Sequence, residues 1–146
     1  MGLHLLLDSA DPITWEEWIP TGLFCGITTN PTLLHRANQP CTISHLETLS
    51  QKAIRLGCKE LYLQAWGESS KQLTNCGIAL SEMASPEMRI HVKVPVTQVG
   101  TEAAKELISK KISVTLTACY EPKQILIAAA VGASHIAPYM SRINDL

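Results

Sequence analysis

The chain has 146 residues, enough for one domain with a sizeable core, and it is 46% hydrophobic and 17% charged. Its 12 basic and 13 acidic residues leave a formal net charge of −1 and are scattered, so a nucleic-acid-binding surface is not expected. No apolar run reaches the roughly 18 residues that a membrane-spanning helix needs, and no signal peptide is evident. We therefore expect a single cytoplasmic domain over residues 1–146, with neither nucleic-acid nor membrane partners.

The cysteines and histidines do not form a metal-binding or disulfide pattern. The five cysteines are odd in number and include no C-x-x-C pair, which favours buried, reduced thiols. The five histidines show no H-x-x-x-H spacing, so a metal-dependent enzyme is disfavoured.

Short apolar runs alternate with longer segments of helical spacing. Six runs predict strands, at Leu3–Leu7, Leu23–Ile27, Glu60–Ala65, Arg89–Val94, Ser113–Leu116 and Ser134–Ala137. The segments between them predict helices, which begin near Asp11-Pro12, Thr32, Ser44, Ser69, Thr101 and Glu121-Pro122. Asp11 offers an N-cap to the first helix, and Pro12 suits its first position. Gly57 and Gly132 predict two of the helix ends.

Alternating strands and helices predict an α/β fold with a parallel sheet. A doubly wound sheet is expected to carry a glycine-rich turn after its first strand, but Asp8 to Pro12 contains no glycine. The pattern therefore favours a TIM-type (β/α)8 barrel, of which this chain supplies about six β-α units. We expect the parent protein to continue beyond Leu146, or partners to cover the gap.

In such a barrel the functional side chains lie at the carboxyl ends of the strands. Polar residues stand in or directly after every predicted strand, and they are Asp8, Thr28, Asn30, Gln64, Lys93, Thr117, Tyr139 and Arg142. Several of them also have an ordinary structural interpretation. Asp8 is typical of a helix N-cap, Asn30-Pro31 of a turn, Thr117 of a β-former and Arg142 of a solvated surface charge.

Lys93 is the most informative of these residues, because it lies within the predicted strand Arg89–Val94 and its neighbours from Ile90 to Val96 are mostly apolar. A lysine in a strand that is buried on both faces is costly unless it is paired or neutral. A neutral amine is a nucleophile that forms a Schiff base with a carbonyl substrate. The alternative is a lysine whose ammonium group reaches water at the strand end, and the strand alone favours neither interpretation.

Four segments resemble the transaldolase and fructose-6-phosphate aldolase family. They are LLLDSAD at residues 5–11, GITTNPT at 26–32, VKVPVT at 92–97 and APYMSRI at 137–143, in the family's order and spacing. The resemblance implies a metal-independent and cofactor-free enzyme that acts on a sugar phosphate and forms a homo-oligomer. The T-T-N-P segment argues against the deoxyribose-phosphate type of lysine aldolase.

The resemblance also implies a role for each polar residue. Lys93 corresponds to the Schiff-base lysine and Asp8 to an aspartate that assists proton transfer. Thr117 corresponds to a threonine that positions the catalytic water. Thr28 and Asn30 correspond to residues that bind the ketose, and Arg142 corresponds to an arginine that binds its phosphate.

Two positions separate the subgroups of the family. Transaldolases proper usually carry glutamate and phenylalanine where this chain has Gln64 and Tyr139, so the resemblance leans to the fructose-6-phosphate aldolase side. The family's phosphate-binding serine of strand 7 has no counterpart here. Two alternatives therefore stay open: a transaldolase proper, and a catalytically incomplete barrel that binds sugar phosphates.

Overall fold

The computed structural model describes residues 3–139, and within them six strands alternate with helices. The strands are β1 Leu6–Asp8, β2 Gly26–Thr28, β3 Glu60–Gln64, β4 Arg89–Pro95, β5 Val114–Cys119 and β6 His135–Pro138. The helices are α1 Pro12–Trp18, α2 Pro31–Arg36, α3 Ile43–Arg55, α4 Ser70–Ser81, α5 Gln98–Ser109 and α6 Gln124–Val131. A short 3₁₀ helix, Ile19–Thr21, follows α1.

The strands lie in one sheet in the order β1-β2-β3-β4-β5-β6. The pairs β1–β2, β2–β3, β4–β5 and β5–β6 are parallel. In a doubly wound sheet the strand order reverses at a switch point, whereas here each strand lies beside the next in the chain. The predicted α/β fold of TIM-barrel type is confirmed, with six strands and helices between them in residues 3–139.

Two compact units share the described residues, one formed by residues 3–64 and 79–91 and the other by residues 65–78 and 92–139. In the first unit the largest fully buried side chains include Trp15, Ile27 and Leu61. In the second they include Leu73, Leu107 and Leu116. The prediction of one domain over residues 1–146 stays a prediction.

Side chains that cap helices set several element boundaries. Asp11 is the N-cap of α1 and Pro12 its first residue, as the sequence predicts. Thr97 caps α5 by accepting a hydrogen bond from the Gly100 N–H, so this helix begins three residues before the predicted Thr101. A side chain on Cα of Gly100 would approach the Pro95 carbonyl oxygen to 2.0 Å, so only glycine fits where α5 leaves β4.

Other predicted boundaries are also displaced. β1 begins three residues later than expected because its ladder with β2 begins only at Leu6, opposite Gly26. β2 includes Thr28, which was expected to follow the strand, because Thr28 pairs with Asp8 of β1. β5 continues to Cys119 because its pairing with β6 persists past Thr117, opposite Ala137.

Capping of α1 predicts a pH-dependent contribution to stability. Hydrogen bonds from the Thr14 hydroxyl and from the Ile13 N–H lower the pKa of the Asp11 carboxyl. A pKa that is lower in the folded state stabilises the fold above the unfolded pKa of about 4, and this contribution is lost as the pH falls through the folded pKa. Asp11→Ala should therefore lower the free energy of unfolding by about 1 kcal/mol at neutral pH.

Urea unfolding of the wild type and the variant at several pH values measures the difference. We expect it to shrink below about pH 3. Asp11→Asn is the matched control, because asparagine also caps helices but carries no charge. A difference between wild type and Asp11→Ala that stays constant down to that pH would contradict an ionised cap.

Candidate active site

In the first unit, the register of three strands places polar side chains on one face. Asp8 lies opposite Thr28, and Thr28 lies opposite Tyr62. In-register neighbours of a parallel sheet point to the same side, and residues two apart on a strand do so too. Gln64 therefore shares the face of Tyr62, at the carboxyl end of β3.

Asp8 does not serve as a helix cap, which the sequence by itself had favoured. It is the last residue of β1 and is exposed, and the cap of α1 is supplied by Asp11. The N-cap interpretation of Asp8 is wrong because the chain runs three residues further before the helix begins. A carboxylate at the carboxyl end of a strand is consistent with a role in chemistry.

Asn30 is a helix cap as well as a member of the predicted site. Its Oδ1 accepts a hydrogen bond from the Leu33 N–H at 2.9 Å, and Pro31 is the first residue of α2. The expected turn is therefore the start of a helix. The capping bond fixes the orientation of the amide group directly after β2.

Gln64 has a buried oxygen in its side-chain amide. Its Oε1 is buried and accepts no hydrogen bond from residues 3–139. A buried acceptor without a partner costs free energy, and in a native structure it calls for an explanation such as a ligand. A hydroxyl group of a substrate is one donor that suits it.

Deeper on the same face lies a layer that the sequence analysis did not single out. Glu60 accepts a hydrogen bond from the Tyr62 hydroxyl at 3.1 Å and pairs with Arg89. The rings of Tyr62 and His91 are stacked, with centroids 4.3 Å apart. Burial, reinforced by Glu60, raises the pKa of the Tyr62 hydroxyl, which therefore remains protonated. The alternation Glu60-x-Tyr62-x-Gln64 in the sequence was the signal that could have found this layer.

In the second unit, Lys93 lies on β4 and is only 4% exposed. It stands opposite Thr115 in the β4–β5 ladder, and its carbonyl oxygen accepts the Ala65 N–H at 2.9 Å. The sequence left open whether this lysine reaches water. Its burial removes that alternative and places an amine on a sheltered strand face.

Thr117 shares the face of Lys93, because it stands opposite Pro95, two residues further along β4. It is 0% exposed, and its Oγ1 has no hydrogen-bond partner among residues 3–139. Its backbone carbonyl accepts the Val96 N–H at 2.9 Å, which fixes its position at the strand end. A valine would fill this place without burying a hydroxyl.

Tyr139 directly follows β6 and is half-buried. Its N–H donates to the Cys119 carbonyl at 2.9 Å, so the β5–β6 pairing extends to it. Arg142, the predicted phosphate ligand, lies outside the described residues.

Other kinds of site find little support in the described part of the chain. Residues 3–139 contain no group of three histidine, cysteine or acidic side chains that could hold a metal ion. All five cysteines are thiols, and burial raises the pKa of Cys25, Cys41, Cys58 and Cys119. Within the same residues, every helix is too short or too polar to cross a membrane.

Comparison with known proteins identifies the family. Residues 5–146 match the family model described as transaldolase/fructose-6-phosphate aldolase. Three similar relatives, each named a probable transaldolase, are proteins of Thermus thermophilus, Chelativorans sp. and Caulobacter vibrioides. They are 30%, 29% and 29% identical to the chain over 99%, 99% and 98% of its length.

The chain spans only 65%, 63% and 62% of the length of these three relatives. The family match nevertheless covers almost all of the chain, and it includes the strand ends at which the polar residues lie. The chain belongs to the transaldolase/fructose-6-phosphate aldolase family.

Proposed function

We propose that the protein is a Schiff-base enzyme that cleaves a ketose phosphate, such as fructose 6-phosphate, and releases its dihydroxyacetone unit. The observation that carries this proposal is the burial of Lys93 on a strand face that it shares with Thr117. Membership of the family supports it. A sheltered amine is a better nucleophile than a solvated ammonium group, because burial disfavours the charged form.

The proposed reaction begins when the Lys93 amine adds to the C2 carbonyl of the ketose and water is lost, which leaves an iminium. The C4 hydroxyl gives its proton to a base, the C3–C4 bond breaks, and its electron pair passes into the iminium to form an enamine. The aldehyde, glyceraldehyde 3-phosphate, then leaves. The iminium serves as the electron sink, so the proposal needs no metal ion or organic cofactor.

Release completes the cycle. The enamine takes up a proton at C3, water adds to C2 of the resulting iminium, and the C2–N bond breaks. The products are free dihydroxyacetone and the Lys93 ammonium group, which loses a proton before the next turnover. In a transaldolase proper, the enamine would instead attack the carbonyl carbon of an aldose phosphate.

The other predicted residues fit into this reaction as proposals. Asp8, exposed at the end of β1, is suited to transfer protons and to hold substrate hydroxyls. Thr28 and Asn30 are proposed to bind the ketose, and Gln64 to donate or accept hydrogen bonds near the reacting carbons. Arg142 is proposed to bind the phosphate group, since guanidinium groups pair with phosphate oxygens in bidentate fashion.

Cytoplasmic location and homo-oligomeric assembly stay predictions. The relatives are named probable transaldolases, which favours transfer, whereas Gln64 and Tyr139 favour release. Three experiments separate these functions.

Reductive trapping tests the Schiff base. Protein incubated with fructose 6-phosphate or dihydroxyacetone and then treated with borohydride should carry a stable adduct on Lys93, located by peptide mass spectrometry. Lys93→Met is the matched control, because it keeps the length of the side chain but has no amine with which to form the adduct. We expect its turnover to fall to the uncatalysed level. A folded wild-type protein that yields no adduct would favour the sugar-phosphate-binding alternative.

Substitution of Tyr139 tests release against transfer. In Tyr139→Phe the phenol hydroxyl, which we propose holds the attacking water, is lost. The rate of dihydroxyacetone release should fall at least about tenfold, as is typical when a proton-transfer group is removed. Transfer to an aldose phosphate acceptor should persist, and both rates are measured by product chromatography. An unchanged release rate would refute the role of Tyr139, and a wild type that only transfers would assign the protein to the transaldolases proper.

Substitution of Thr117 tests whether its hydroxyl is kept for function. Thr117→Val preserves the shape but removes a buried hydroxyl that has no partner among the described residues. The free energy of unfolding should therefore stay the same or rise by about 1 kcal/mol, while turnover falls. Ser50→Ala is the control, because it removes a similarly buried hydroxyl from α3 and should leave turnover unchanged. Marked loss of stability in Thr117→Val would show that the hydroxyl is structural.

A further inference from the structure

The end of β5 contains a bulge. Thr117 stands opposite Ala137, but the next paired residue is Cys119, which stands opposite Pro138. Ala118 is therefore an extra residue, and its φ of 58° lies in the left-handed region that alanine rarely adopts. Bulges are frequent next to active sites, where they re-aim a side chain.

This bulge changes the face to which the following residues point. Without it, alternation from Thr117 would place Cys119 on the Lys93 face and Tyr120 on the opposite one. With it, Cys119 takes the face opposite to Thr117, where it is buried and its Sγ lies 3.7 Å from the Leu116 carbonyl oxygen. Tyr120 is thereby moved to the face that carries Lys93 and Thr117.

Tyr120 there contacts Tyr139, which alternation from Ala137 places on the same face. The two rings meet edge to face, with centroids 5.5 Å apart and planes at 88°. This geometry is one that aromatic pairs prefer. The side chain of Gln124 holds the backbone after the bulge, because its Oε1 accepts the N–H groups of Tyr120 and Glu121 at 2.7 and 2.9 Å.

We propose that Tyr120 is a positioning residue for Tyr139, and that the bulge at Ala118 exists to bring it onto the Lys93 face. Its ring fixes the plane of the Tyr139 ring and thus the position of the phenol oxygen, where water adds to C2 of the dihydroxyacetone iminium. This inference rests on the proposed release activity. It assigns no hydrogen bond to the Tyr120 hydroxyl, so the contact between the two rings alone positions Tyr139.

The proposal predicts a difference between two substitutions of Tyr120. Tyr120→Leu removes the ring but keeps an apolar side chain at a position that is 39% exposed, so folding should be retained. The ratio of dihydroxyacetone release to transfer should fall about tenfold, because a small displacement of a catalytic group has a large effect on rate. Tyr120→Phe keeps the ring and should restore the wild-type ratio. Borohydride should trap an adduct on Lys93 in both variants, because the ring of Tyr120 has no part in Schiff-base formation.

A second pair of variants tests the bulge and leaves Tyr120 in place. Ala118→Gly tolerates a positive φ and should keep the wild-type ratio, whereas Ala118→Val introduces a β-branched residue that avoids this region and should lower it. If Tyr120→Leu, or a folded Ala118→Val, retains the wild-type ratio, the proposal is overturned. It is equally overturned if Tyr120→Phe lowers the ratio as much as Tyr120→Leu, since the hydroxyl would then act. If the proposed function itself is wrong, the wild type will form no adduct or release no dihydroxyacetone. That result differs from any result that overturns the role of Tyr120.

Discussion

The parallel pairing of β4 with β5 is the constraint on which the candidate site depends. It sets Lys93 opposite Thr115 and Pro95 opposite Thr117, and so places the amine and the two hydroxyls on one strand face. A slip of one residue would turn all the side chains of β5 to the other side. Gly100 permits the close approach by which α5 leaves the end of β4, and this helix packs Ala103, Ala104 and Leu107 into the core.

Polar groups on a buried strand face need hydrogen-bond partners, and a group that lacks a partner calls for an explanation. The layer of Glu60, Tyr62 and Arg89 is of the first kind, since its hydroxyl, carboxylate and guanidinium groups bind one another. Gln64 Oε1 and Thr117 Oγ1 are of the second kind within residues 3–139, and both lie at the carboxyl ends of their strands. The contrast distinguishes a layer of paired groups from two buried oxygens that have no partner among the described residues.

The bulge at Ala118 shows how a single residue changes what a strand presents. Regular alternation would leave Thr117 as the last site residue of β5, with the following tyrosine on the other face. The extra residue turns that tyrosine toward the ring of Tyr139 at the adjacent strand end. The cost is an alanine in the left-handed region, a kind of strain that concentrates at functional sites.

Local patterns in the chain were sufficient to predict the α/β class, the alternation of six strands with helices, and the Asp11 cap, because each depends on neighbours within a few residues. Burial and the faces to which side chains point depended on pairing between strands that are distant in sequence. This pairing decided that Lys93 is buried and that Asp8 ends a strand instead of capping a helix. It also brought the ring of Tyr120 against the ring of Tyr139. Register and burial arise from contacts between segments about 20 or more residues apart, and neither periodicity nor propensity within one segment specifies them.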